Sequence, residues 1–111
     1  MIIFKSINKL NKELYGKKNV GFIPTMGSLH KGHISLIKKS KNSNNKTLVS
    51  IFINPTQFNN KKDYKKYPKN LKRDINILVK NNIDYLLLPS FKELYGTKKV
   101  KKEKLRKKDI I

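Results

Sequence analysis

The chain has no cysteine and no tryptophan in its 111 residues. Without cysteine there is neither a disulfide framework nor a thiolate metal site, which fits a reducing compartment. No apolar run approaches the roughly 18 residues of a membrane span. The start, "MIIFKSINKLNKEL", lacks a basic stretch, a long apolar stretch and a small-residue cleavage site. It reads as mature protein rather than a signal peptide, and the expected compartment is the cytoplasm. Acidic residues are scarce, with 7 against 27 basic ones and a net charge of +20. Arginine is scarce too: only Arg73 and Arg106 accompany 25 lysines. Base-edge readout and bidentate phosphate grip favour arginine, so the charge is a poor match to a sequence-reading nucleic-acid binder. Asn and Ile stand at 13 each. Lys, Asn and Ile inflated together are what an A+T-rich genome writes by drift on solvated faces. A polyanion partner remains the alternative, since such a surface attracts polyanions at low salt.

What is present organises as one domain at most, with a core of modest size. Phe4, Ile7, Leu10 and Leu14 recur at helical spacing and predict a helix over 4–15, with Ser6 suited to cap it and Gly16 to end it. "NVGFIP" (19–24) reads as a short strand ended by Pro24. "SLHKGHISLIKKSKN" (28–42) reads as a helix with Leu29, His33, Leu36 and Ile37 on one side. "KTLVSIFINP" (46–55) is the strongest strand signal, apolar on both faces. Residues 56–70 read as a long polar connection, 71–82 as a helix through Leu71, Ile75, Leu78 and Val79, and "IDYLLLP" (83–89) as a third strand. Ser90 and Glu93 have capping-box spacing for a further helix. After Gly96 the chain is a charge run, expected to be a disordered basic tail over 97–111.

Helices alternating with strands predict βαβ units and an α/β fold with three parallel strands, near 19–24, 47–54 and 83–88. Right-handed crossovers put the strand C-termini on one edge, where ligands bind in such sheets. The first of those ends runs into "PTMGSLHKGH" (24–33), which holds the chain's only histidines, His30 and His33. A helix starting near Ser28 or Leu29 would place both in its first turns on one face. Its N-terminus offers amide N–H groups and the positive dipole end to an anion. Gly32 costs about 1 kcal/mol against Ala in a helix, and its bare backbone would admit a flat base or sugar. Gly27 would free the preceding turn. The plain alternative is a satisfied core histidine at 33 and a solvated one at 30. Two histidines without a third ligand are too few for zinc. Neither a Gly-x-Gly-x-x-Gly fingerprint nor a Walker A loop is present.

"GFIPTMGSLHKGHISLIKKS" resembles the N-terminal motif of the pantothenate synthetase (pantoate–β-alanine ligase) family. "VSIFINPTQF" (49–58) resembles its second block, and "DYKKYPKNLKRDINIL" (63–78) more loosely its third. The "PTMG" lead and the "INPTQF" block separate it from other His-x-Gly-His nucleotidylyltransferases and from class I aminoacyl-tRNA synthetases. The resemblance runs from about residue 1 to Gly96. It implies a Rossmann-like half-domain over 1–96 that binds ATP and pantoate. The implied reaction forms pantoyl adenylate from pantoate and ATP with Mg²⁺, and β-alanine then displaces AMP. By the same resemblance Met26, Gly27, Ser28, Leu29, His30, Lys31, Gly32 and His33 bind ATP. His33 is the proton donor with His30 beside it, Gln57 contacts pantoate and β-alanine, Asn54 supports the pantoate side, and Asp74 helps hold Mg²⁺. The bland reading of Asp74 is a solvated helix residue. Lys69 departs from the family's arginine. The family's later nucleotide-binding stretch, second pantoate glutamine and C-terminal domain have no match here, so an incomplete enzyme is expected. Its partner would be a second copy or a complementing C-terminal chain, and nucleic acid is not the expected partner. The competing class is a non-catalytic basic half-domain that binds RNA or other polyanions.

Overall fold

Ser6 sets where the first helix begins. Its backbone is extended (φ −111°, ψ 128°), and its hydroxyl accepts from the Lys9 amide at 3.3 Å. This satisfies one of the donors that a helix start leaves unpaired. Helix α1 (Ile7–Leu14) follows, and the chain leaves it through Gly16 at φ +79°. Phe4, expected in this helix, belongs instead to strand β1 (Ile2–Phe4). Three residues are too few to show alternation, and Phe4 happens to lie one helical step before Ile7.

The computed structural model describes residues 1–52 and 61–90, with residues 61–69 as backbone only. Beyond α1 it contains β2 (Val20–Thr25), α2 (Lys31–Ser43), β3 (Lys46–Ile51), α3 (Lys61–Lys80) and β4 (Tyr85–Leu87). The sheet order is β1-β4-β3-β2, and all three pairings are parallel. The parallel α/β expectation holds. The sheet carries four strands rather than three, because β1 adds to the far side of β4 through Ile2↔Tyr85, Ile3↔Leu86 and Phe4↔Leu87.

Handedness sorts the helices between the two faces. The steps β2→β3→β4 advance across the sheet in one direction, and right-handed crossovers place α2 and α3 on one face. The step β1→β2 runs the other way, so α1 lies on the opposite face. Side-chain alternation follows suit. Ile23, Val49 and Leu86 are in register and pack with Leu29, Ile37, Leu78 and Ile83. On the α1 face Leu48, Tyr85 and Leu87 pack with Leu10. Each fully buried aliphatic side chain contributes roughly 1.5–3 kcal/mol. Leu36, expected on the buried side of α2, is 52% exposed.

Two further expectations are corrected. Pro24 does not end its strand, because β2 runs through it to Thr25. The Thr25 carbonyl accepts from Phe52 N, so the alternating backbone turns Pro24 to the open edge, where its missing N–H costs nothing. The expected polar connection over 56–70 is helical from Lys61 onward, ten residues ahead of the predicted start at 71. Apolar periodicity begins only at Leu71, and Pro68 reads as a breaker, so the first half of α3 carried no helical signal. The strand continuation over 53–55, the helix at 91–95 and the basic tail lie outside the described residues. Among those described, no helix is long and apolar enough to cross a membrane.

Candidate functional site

The C-terminal end of β2 leads into residues 26–30 and then α2, and side chains determine the path of this loop. The Thr25 hydroxyl accepts from Gly27 N at 3.2 Å. Gly27 has φ +86°, as a glycine readily does, but Ser28 also has φ +54°. A left-handed serine costs about 1–3 kcal/mol and persists only where its surroundings hold it. The hold is Asp74, on α3. Its Oδ2 accepts from Ser28 N at 2.8 Å and its Oδ1 from Leu29 N at 2.9 Å. The neighbouring Arg73 donates to the Leu29 carbonyl at 3.2 Å. Asp74 is 1% exposed, which overturns the reading of it as a solvated helix residue.

The histidines sit two to three positions earlier relative to the helix than expected. His30 is extended (φ −141°, ψ −175°) and is the N-cap; α2 starts at Lys31, not at Ser28 or Leu29. The two rings make a reciprocal cap. His30 Nδ1 accepts from Gly32 N at 3.0 Å, and His33 Nδ1 accepts from His30 N at 3.1 Å. Imidazole thus fills both roles usually taken by Ser or Thr at the cap and by Glu or Gln three residues on. The rings stand 4.1 Å apart at 47°.

This arrangement fixes proton positions. A nitrogen that accepts from an amide carries no hydrogen, so each neutral ring has its proton on Nε2. The Nε2–H groups lie outside the cap. Burial lowers the His33 pKa below the usual 6.5, the His30 charge lowers it further, and Asp74 opposes both. Rings bound through Nδ1 keep Nε2 for a phosphate ester, and the start of α2 adds its dipole. The amides of His30 and Gly32 are already taken by the rings, so the donors on offer include the Nε2–H groups rather than those amides.

Gly32 has a different reason from the one expected. A Cβ there would come 2.8 Å from His30 Cε1 and 3.1 Å from His30 Nδ1. The space above its backbone is filled by the capping ring, not left for a base or sugar. Met26 is 66% exposed at the loop's rim, and Lys31 is exposed at the helix start. Leu29 is 1% exposed and packs in the core, so of this residue only the backbone faces the loop. Asn54 and Gln57 lie outside the described residues. Sequence reasoning missed Thr25 and Arg73. Arg73 carried a faint signal as one of two arginines in a chain that otherwise uses lysine.

The Mg²⁺ assignment can be tested against this geometry. Asp74 has both carboxylate oxygens on backbone amides and is closed to solvent. Among the described residues no three His, Asp or Glu side chains gather as metal ligands. These residues do not fit the ion, and no step is derived through it.

Comparison with known proteins gives a consistent picture. The family model described as pantoate-beta-alanine ligase matches residues 2–109. Pantothenate synthetase of Pseudothermotoga lettingae is 47% identical over 98 residues, covering 86% of this chain and 35% of that protein. The Francisella philomiragia pantothenate synthetase is 53% identical over 98 residues, covering 86% and 38%. The crystal structure of pantoate-beta-alanine ligase from Francisella tularensis, complexed with beta-gamma ATP and beta-alanine, matches with a TM-score of 0.71 at 49% identity. It covers 87% of this chain and 38% of that one. Pantothenate synthetase from Thermus thermophilus matches with a TM-score of 0.72 at 36% identity, covering 87% and 35%. The chain spans little more than a third of the length of these relatives.

Proposed function

The chain belongs to the pantoate-β-alanine ligase family, and on that premise we propose that it supplies the ATP-binding side of the condensation of pantoate with β-alanine. The observation that carries this reading is the pair of imidazoles at the start of α2, each with Nδ1 on a backbone amide.

In this reading the triphosphate lies against the N-terminus of α2. The pantoate carboxylate attacks the α-phosphorus, a P–O bond forms, and the bond to pyrophosphate breaks. Charge moves onto the leaving oxygen. The Nε2–H groups of His30 and His33 donate hydrogen bonds to the phosphate oxygens where this charge gathers, and His33, expected as the proton donor, acts in this step through its Nε2–H hydrogen bond without giving the proton up. The rings are held by the cap before ATP arrives, so little reorganisation accompanies the reaction. The amine of β-alanine then attacks the acyl carbon, a C–N bond forms, the C–O bond to AMP breaks, and the amine's proton passes to solvent. Gln57 is assigned to pantoate and β-alanine, since an amide addresses a hydroxyl or carboxylate without adding charge. The expected partner chain, a second copy or a complementing C-terminal chain, is assigned to the open side of the sheet, where Phe22 is 41% exposed. The cytoplasm remains the proposed compartment.

Calorimetric titration of the 111-residue chain with ATP tests the reading. Binding should weaken at least tenfold in His30→Ala and in His33→Ala. Polyanion binding with a steep salt slope, indifferent to both substitutions, would favour the basic half-domain instead.

A further inference from the structure

Asp74 is held away from solvent and its two oxygens are spent on consecutive amides of one loop. A cation ligand needs the opposite: a carboxylate with lone pairs aimed into an accessible space. The adjacent Arg73 reaches the carbonyl of Leu29, whose amide Asp74 already holds. Leu29 itself is sunk in the core. One residue is therefore gripped at its N–H, its C=O and its side chain, and the next residue in the chain is His30. We propose that Asp74 is a positioning residue: from α3 it clamps the left-handed turn at Ser28 and Leu29 and so sets where His30 caps α2 and where both imidazoles point. Its role toward phosphate is exerted through the loop and not through a metal ion. This rests on the ATP reading above for its consequence, though not for its geometry.

The clamp has a chemical reason to be a carboxylate. Two N–H groups converge on it, and only a group with two acceptor oxygens satisfies both. An amide in its place would accept one N–H and turn its own donor toward the other. Hydrogen bonds to a charged acceptor are the stronger kind, and a buried donor left unpaired costs its full desolvation. Asp74→Asn is thus nearly isosteric yet breaks the clamp. Arg73→Gln, at an exposed position, is a milder variant that preserves the core.

Two readouts decide the matter. The first is long-range proton–nitrogen correlation NMR of the imidazoles in the ligand-free 111-residue chain. Asp74→Asn should mix the Nε2–H tautomers of His30 and His33, and Arg73→Gln should shift their signals in the same direction. The second is ATP affinity measured both with Mg²⁺ and with EDTA. Asp74→Asn should weaken ATP binding about tenfold or more, by the same factor in both conditions. A loss confined to the Mg²⁺ condition, with unchanged imidazole signals, would overturn the proposal and restore the metal role. Unchanged affinity together with unchanged signals would overturn it as well. If Asp74→Asn fails to fold by circular dichroism, Arg73→Gln carries the same comparison with a smaller factor. If the parent chain binds no ATP, the ATP reading fails, and the tautomer measurement decides the clamp alone.

Discussion

The carboxylate of Asp74 and the amide of Ser28 lie 2.8 Å apart across 46 residues of sequence. That contact joins α3 to a loop beyond the end of β2, and it holds a serine at φ +54° directly ahead of the capping histidine's neighbour Leu29.

Acid should loosen the start of α2. His33 is held below the usual imidazole 6.5, first by burial, then by the charge of His30, with Asp74 opposing. A base depressed in the folded state binds fewer protons there than in the unfolded chain, so stability rises with pH. The contribution is whole above about pH 6.5 and is lost as pH falls through the lower folded value. His33→Gln keeps an acceptor at this position of the cap but does not titrate. Thermal unfolding from pH 8 to pH 5 should show a steeper decline in the parent chain than in His33→Gln. Parallel declines would remove His33 as the cause.

Gly32→Ala should separate stability from binding. Alanine adds about 1 kcal/mol of helix propensity. Its Cβ would meet the His30 ring at 2.8 Å and push it off the cap, which costs about 1 kcal/mol. Urea unfolding should show little net change, while ATP affinity falls. A full gain in stability with undiminished ATP binding would mean that the ring has room to yield.

Gly21→Ala should destabilise the fold through the contact of β2 with α2. A Cβ there would lie 2.1 Å from Ser40 Oγ and 2.7 Å from Asn44 Nδ2. Ser40 is bonded to Thr47 at 2.9 Å and cannot swing away freely. Overpacking of this kind costs about 1–3 kcal/mol. The double variant Gly21→Ala with Ser40→Ala should recover part of the loss in urea unfolding. Equal losses in the single and double variants would place the clash elsewhere.

The 111-residue chain by itself should give no sustained pantothenate synthesis from ATP, Mg²⁺, pantoate and β-alanine. It spans 35–38% of its relatives, and adenylation depends on positioning from every side of the substrate, so a partial site forfeits most of the rate. Following AMP and pantothenate by chromatography checks this. Turnover that disappears in His33→Ala would show that the present residues suffice.

Local patterns in the sequence were enough for the alternation of helix and strand, the parallel sheet and the histidine loop at a strand's C-terminal end. Hydrophobic spacing reports which face of an element is buried, and that is a local property. Ser6 as a cap and Gly16 as an exit were legible for the same reason. Tertiary structure alone decided the rest. Strand β1 exists because β4 offers it a partner, and three residues carry no period of their own. The first half of α3 is helical although its sequence is polar and holds Pro68. Gly32 is required by the ring of a residue two positions away. Asp74 looked like any exposed helix carboxylate until the fold brought it to the amides of Ser28 and Leu29. Which donor a carboxylate faces depends on chain segments far apart in sequence, and no local pattern records that.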